Sequence, residues 1–362
     1  MPTPKKLTIR SLRVRALDLR LLKPMETASG VMHTTPLVLV DVATEEGVEG
    51  SSYIRCYTPT ALRALAALTA DLEPLVKGED ASPASIERKL ERHFRLVGSQ
   101  GLVTIALAGL DMALWDARAK ACGVPLVSLL GGTPKAVPAY ASLRTMSPSG
   151  AAAEAEELLE RGFKALKVKI GRSDIAADLE TIRAVRSAIG ADARLMVDYN
   201  QSLSVAEAID RARVLDDEGL YWIEEPTRFD DYSGHARIAA SAKTAIQLGE
   251  NCWGPHDIAK LIEAGASDHL MLDVMKLGGI SGWMRAASLA EAAGLPVSSH
   301  AFPEYSLHAL AVTPTCKWLE YLDHAGPILQ QPVRIENGNA IIADAPGAGI
   351  AWNEDALKPF LI

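Results

Sequence analysis

Residues 163–171 read FKALKVKIG, an apolar run carrying three lysines, with Lys167 and Lys169 only two positions apart. The run has the length and composition of a buried β-strand, in which alternate side chains share a face, so Ala165, Lys167 and Lys169 point the same way. Two ammonium groups on one side of a buried strand require a face that is not ordinary core. The segments that follow suggest what that face is. RLMVDYN (194–200), LYWIEEP (220–226), AIQLGEN (245–251), DHLMLDV (268–274), LPVSSH (295–300) and WLEYLD (318–323) are short apolar runs that each close on ionisable residues. Between them lie helical patterns such as SGAAAEAEELLERG (149–162), IAADLETIRAVRSAIG (175–190) and SVAEAIDRARVLDDEG (204–219). With VPAYASL (137–143), eight strands alternate with helices, which predicts a parallel sheet closed into a modified TIM barrel over 136–324. A doubly wound open sheet fits less well, because no glycine-rich dinucleotide fingerprint follows the first strand.

Each ionisable residue falls at the C-terminal end of its strand: Lys167 and Lys169, Asp198, Glu224, Glu250, Asp273, His300 and Glu320. Steps of 23 to 29 residues separate Lys169, Asp198, Glu224, Glu250, Asp273 and His300, the length of one strand–helix unit. One such group could be a helix cap or a solvated charge. A series of them converges on the mouth of a barrel, where barrel enzymes keep their chemistry.

Asp198, Glu224 and Glu250 offer only oxygen, a set suited to Mg²⁺, with Mn²⁺ as the alternative; zinc would call for cysteine or histidine. Glu225 is expected to face the opposite way in a structural ion pair, with Pro226 ending the strand. Lys167 and Lys169, side by side and partly desolvated, should lower one another toward a usable general base, the charged neighbour holding a carboxylate. A Schiff-base role for either lysine is the rival. His300 follows Asp273 by one unit, so the carboxylate can fix the imidazole tautomer. The lysines and the histidine fall on opposite sides of the barrel, as two bases flanking one carbon would. Glu320 sits among Trp318, Leu319 and Leu322, a setting that favours a protonated, donating carboxyl. An ion pair with Lys276 is its alternative.

Outside the barrel, residues 1–135 predict an α+β capping domain. It begins as a meander with strands near Leu12–Leu19, Leu37–Val42 and Gly50–Cys56. Helical patterns follow in PTALRALAALTADLEPLV (59–76) and TIALAGLDMALWDARAKA (104–121). LKPMETASGVMHTTP, about 22–36, reads as a long lid loop. The segment 325–362 predicts a hairpin turning at Asn337–Gly338 that packs back on the cap. The 362 residues have 48% hydrophobic and 23% charged content with a net charge of −8, as in a soluble globular protein. The acidic balance argues against a nucleic-acid surface. There is no apolar stretch of membrane-spanning length and no signal-like start, and Cys56, Cys122, Cys252 and Cys316 are scattered. A cytoplasmic protein with reduced cysteines is expected, with no membrane partner and, as for many such enzymes, as a homo-oligomer.

Taken together, AGLDMALWDARAK (108–120), PLVSLLGG (125–132), the KxK pair, VDYNQSL, WIEEPT, GEN, DVMKLGG, SSH and TPTCKWLEYLD resemble the enolase superfamily, and within it the mandelate racemase subgroup, nearly end to end. The resemblance implies a (β/α)7β barrel with an α+β cap and Mg²⁺ at Asp198, Glu224 and Glu250. It implies removal of the α-proton of a small-molecule 2-hydroxy carboxylate, with Lys169 as base for one enantiomer and His300, backed by Asp273, for the other. Lys167 and Glu320 match the residues that bind and polarise the carboxylate, and Asn200 and Ser142 match further substrate contacts. Arg55, Tyr57 and Lys276 count as additional candidate contacts. Met25, Ser29 and Met32 stand in the lid where small apolar residues are expected, Arg55 where an aromatic is expected, and Glu26 in place of a histidine. These departures point away from mandelate toward a more polar 2-hydroxy acid. Racemisation is the expected outcome, with acid-sugar dehydration by the same enolate chemistry, or a non-catalytic metal-binding barrel, as alternatives.

Overall fold

The structure, a computed structural model, describes residues 6–28 and 30–362. Strands β1 (Ile9–Thr27), β2 (Gly30–Thr44) and β3 (Glu49–Arg55) form an antiparallel sheet in sequence order. The expected lid loop at about 22–36 is instead paired backbone. Thr34 faces Arg20, Met32 faces Met25 and Gly30 faces Thr27, with an irregularity between Arg20 and Met25. The register carries the hairpin well beyond the sheet, and extended pairing satisfies backbone groups that a loop would leave to water. Ser29 falls outside the described residues, as do residues 1–5.

Two helices, Pro59–Ala70 and Leu102–Cys122, cover this sheet, and a third, Pro83–His93, packs on the latter. Thr58 caps the first by accepting from Thr60 N–H, ahead of proline at the first helical position. The helix Leu102–Cys122 is apolar nearly all round and buries 14 residues, because it lies between the sheet and the barrel. Gly50 makes that packing possible. A Cβ there would stand 2.0 Å from the Ala113 carbonyl oxygen.

The barrel strands are β4 (Val137–Ser142), β5 (Ala165–Lys169), β6 (Arg194–Asp198), β7 (Ile223–Glu224), β8 (Ile246–Leu248), β9 (His269–Asp273), β10 (Val297–His300) and β11 (Cys316–Tyr321). All pair in parallel with their neighbours, and β11 closes on β4 with Leu319 beside Ala139. One helix separates each successive pair, which makes a (β/α)7β barrel capped by the antiparallel sheet. The last of these helices, Pro303–Val312, buries nine of its ten residues. Tyr305 donates its hydroxyl to the carbonyls of Ser51 and Met112, while Tyr53 donates to Glu304. These bonds fasten cap to barrel on the side of β10.

The tail differs from the expectation in one respect. Asn337 and Gly338, both at positive φ, turn the hairpin between β12 (Arg334–Glu336) and β13 (Asn339–Ile341). That hairpin joins the barrel sheet, with β13 antiparallel to Val137 and Pro138 of β4, whose partners β11 and β5 begin further along. Only the remainder reaches the cap, through Trp352 to Asp41, Glu354 to Arg15 and Ile362 to Ala16. Among the described residues no helix is long and apolar enough to cross a membrane.

Candidate active site

Strand register sets the site. Lys169 lies beside Asp198, Asp198 beside Glu224, and His300 beside Asp273, all at the C-terminal ends of their strands. Above them a cavity of about 230 Å³ is lined by barrel residues, including Lys167, Lys169, Asp198, Asn200, Glu250, His300 and Glu320. Met25, Thr27, Met32, Arg55 and Tyr57 of the cap complete the wall. The chain is bent to build this wall. Among the described residues seven non-glycine positions have positive φ; Tyr57, Asn200, Gln201 and Glu225 line the cavity, and Ala301 and Phe302 follow His300. Such backbone is costly and persists where surrounding structure enforces it, most often at functional sites.

The two lysines diverge. Lys167 lies 2.5 Å from Glu224, 2.9 Å from Glu320 and 3.6 Å from Asp198. Burial disfavours its charge, but Glu224 and Glu320 more than offset this and hold it well above an ordinary lysine. Lys169 makes no ion pair among the described residues, and burial, helped by Lys167, leaves it lowered despite Asp198. The mutual lowering expected for both holds for Lys169 alone, because Lys167 takes the carboxylates.

His300 Nδ1 is 2.6 Å from Asp273, whose other oxygen accepts the backbone N–H groups of Met275 and Lys276. The carboxylate is thereby fixed and the imidazole oriented. Burial pulls His300 down, but Glu250 and the Asp273 hydrogen bond raise it overall. Its Nε2 stands 3.5 Å from Glu250 and 3.9 Å from Glu320.

Glu320 departs from expectation. Burial pushes its carboxyl up, yet Lys167, His300 and the Ser142 hydroxyl at 2.6 Å together bring it down to about 2. Its neighbours are cations and not only Trp318, Leu319 and Leu322, so it is an ionised acceptor. Nor does it pair with Lys276, which donates to Asn251 and lies 4.7 Å from the Tyr57 ring centre. Lys276 is set back from the cavity wall, as are Ser142, Glu224 and Asp273. Asn200 donates to Asp198 through both its backbone N–H and its side-chain amide.

Glu225 was expected on the outer face. Its φ of 39° turns it back into the cavity, where Asn251 donates to both carboxylate oxygens. Burial and the nearby Glu250 raise its carboxyl to about 8. Alternation places a side chain only while the backbone stays extended, and β7 ends at Glu224. Asn251 and Gln201 also line the cavity without a role read from sequence, although both sit in segments quoted as motifs, GEN and VDYNQSL.

Charge at the mouth is unbalanced. Burial raises Asp198 and raises Glu224 strongly, with Glu250 adding to both, so the carboxylates lack positive charge. Asn200 Oδ1 and Gln247 Oε1 are buried without a donor. An all-oxygen set short of positive charge fits a hard divalent cation. Among the described residues no three acidic, histidine or cysteine side chains are already gathered as ligands, since Glu224 is engaged by Lys167, Trp222 and Gln247.

Residues 10–131 match the N-terminal domain family of mandelate racemase / muconate lactonizing enzyme, and residues 150–356 match the enolase C-terminal domain-like family. An enolase from the alpha proteobacterium BAL199, crystallised with Mg²⁺, is 44% identical and superposes with a TM-score of 0.96 over 98% of this chain and 100% of its own. An enolase from Bradyrhizobium, complexed with magnesium and mandelic acid, is 43% identical with a TM-score of 0.94, covering 100% of both chains. The L-talarate/galactarate dehydratase of Salmonella typhimurium is 30% identical over 89% of this chain and 82% of its own. Cycloisomerases and an epimerase stand at similar identity, so the relatives do not share one reaction, and they do not single out mandelate racemase. With both domains matched and the strand-end groups assembled at one barrel mouth, the chain belongs to the enolase superfamily.

Proposed function

We propose that the protein removes the α-proton of a 2-hydroxy carboxylate and returns it to the opposite face, racemising or epimerising C2. The observation that carries this reading is the pair of bases lining one cavity. Lys169 on β5 and His300 on β10 stand three strand steps apart by the shorter way round the barrel. Lys169 is lowered, which makes its neutral, proton-accepting form more accessible, while Asp273 and Glu250 support the protonated form of His300. One group can accept a proton as the other donates, and then the roles reverse.

Asp198, Glu224 and Glu250 would hold Mg²⁺, as the magnesium-bound relatives suggest. When bound, it supplies fixed positive charge against the second negative charge that develops on the substrate carboxylate. Lys167 adds a charged donor on the same side, kept protonated and in place by Glu320. Asp273 keeps the His300 ring in one tautomer and orientation through its Nδ1 contact. A cytoplasmic homo-oligomer acting on free small molecules completes this reading.

Dehydration of an acid sugar is the second reading. The polar cavity wall of Arg55, Gln201 and Asn251 favours it, as does similarity to an acid-sugar dehydratase. His300 would then donate its proton to a leaving 3-hydroxyl. Incubation of single enantiomers with Mg²⁺ in D₂O separates the two. Racemisation places deuterium at C2 with no loss of water, whereas dehydration gives a 2-keto acid. His300→Asn should end racemisation in both directions yet leave α-deuterium exchange for the enantiomer that Lys169 handles, and Lys169→Met should do the converse. If His300→Asn abolishes exchange from both enantiomers in a folded, Mg²⁺-binding protein, the two-base mechanism is wrong.

A further inference from the structure

Arg55 is 4% exposed and lies on the cavity wall, yet no carboxylate of the described residues stands within ion-pair distance of it. Its NH1 rests 3.2 Å from His324 Nε2, its NH2 is 3.3 Å from the Met32 sulfur, and its Nε has no partner. The guanidinium carbon lies 4.6 Å from the Tyr57 ring centre. Burial and the adjacent Arg55 charge hold His324 well below an ordinary histidine, so it supports the guanidinium as a neutral acceptor and adds no negative charge. Tyr57, also on the wall, is held at a φ of 59° with its buried hydroxyl lacking a partner.

The buried Arg15 shows what a structural arginine looks like in this fold. It too has an unpartnered Nε, but Asp41 at 2.7 Å and Glu354 at 2.9 Å neutralise it. Arg55 has no such counterion, and an unpaired buried cation is expensive. Guanidinium suits carboxylate because its planar donors match two oxygens at once.

We infer that Arg55, with the Tyr57 hydroxyl, receives the distal carboxylate of the substrate, so that the substrate class is a 2-hydroxy dicarboxylate. This rests on the proposed α-proton chemistry, in which the proximal carboxylate lies toward Lys167 and the cation ligands. Arg55 is a specificity residue and takes no part in proton transfer.

The test uses pairs of ligands that differ only at the far end: tartrate against 2,3-dihydroxybutyrate, and glucarate against gluconate. Calorimetric binding with Mg²⁺ present and kcat/KM for α-deuterium exchange are measured for each. Wild type should favour the diacid by about a hundredfold in at least one pair, the scale of a charged hydrogen bond. Arg55→Met should erase that preference, bringing diacid and monoacid to within a few-fold of one another, and Arg55→Lys should restore part of it. Because Arg55→Met replaces a buried charge with an apolar chain of similar length, it should fold, and thermal melting verifies this. Equal binding of monoacid and diacid by wild type at both lengths, or a preference that survives Arg55→Met, overturns the inference. Diacid-selective binding through Arg55 with no exchange from any 2-hydroxy acid would leave Arg55 its role and refute the reaction proposed above.

Discussion

Two regions of this protein bury acidic groups almost completely, and they treat them in opposite ways. Where the cap meets the barrel and the C-terminal tail, the buried carboxyls face donors. Asp116 accepts the backbone N–H groups of Ser51 and Ala348 and pairs with Lys120 at 2.6 Å, Asp111 accepts both the N–H and the hydroxyl of Ser281, and Glu304 accepts from Tyr53. At the barrel mouth Asp198, Glu224, Glu225 and Glu250 crowd one another, and buried polar atoms of Asn200, Gln247, Tyr57 and Arg55 have no partner. A satisfied buried network holds two layers in register, whereas an unsatisfied one is tolerated only where something else binds. The contrast separates structural from functional acids when burial alone cannot.

Removal of the cation should break the mouth without touching the interface. EDTA should abolish turnover and Mg²⁺ restore it, with the urea midpoint falling by no more than the cation's own binding contributes. Glu224→Gln should lower activity by at least about a thousandfold, since charge stabilisation of this kind is among the largest single contributions to catalysis. Glu225→Gln tests the corrected orientation. Because Glu225 faces the cavity and is raised to about 8, the substitution should lower activity by about tenfold and leave stability nearly unchanged. Loss of stability with full activity would return Glu225 to a structural role.

The reverse experiment cuts the interface. Asp116→Ala strands two buried backbone N–H groups and the Lys120 ammonium, which should cost about 3–5 kcal/mol of unfolding free energy. The kcat of the protein that stays folded should be close to wild type. A selective fall in kcat would mean that the cap's seating and the chemistry are coupled.

Much of the mouth was legible because strand-end position is a one-dimensional property. Lys169, Asp198, Glu224, Asp273 and His300 recur at the spacing of a strand–helix unit, and register then places them side by side. What sequence could not supply was the backbone between strands. Glu225 departs from alternation because β7 is two residues long and the next residue adopts a left-handed φ. The 22–36 segment reads as a loop from its glycine and prolines, yet cross-strand pairing of Met25 with Met32 continues the sheet. Partner choice was equally hidden. Glu320 looked apolar from Trp318, Leu319 and Leu322, while the cations that ionise it, Lys167 and His300, come from β5 and β10, far off in sequence. The Arg15 and Arg55 contrast belongs to the same class, since counterions are a property of the fold.

The last effect concerns pH, and it sharpens the comparison because it isolates one interface acid. Burial raises the Asp111 carboxyl from 3.8 to about 7, against the lowering by its two Ser281 hydrogen bonds. The folded protein therefore keeps this proton to a higher pH than the unfolded chain does. The stability it lends is whole below about 4, the unfolded value, and is lost as the pH rises through about 7. Between pH 5 and pH 8 the loss amounts to roughly 2–3 kcal/mol. Glu304, also raised to about 7 by burial, titrates in the same window, so the total slope exceeds either share. Asp111→Asn keeps an acceptor for Ser281 but cannot ionise. Urea unfolding at pH 5 and pH 8 should show a decline in the variant that is smaller than wild type by Asp111's share, with Glu304's share remaining. An identical decline in the two proteins would mean that Asp111 is ionised throughout, held by Ser281 alone, and that satisfied donors at this interface outweigh its burial.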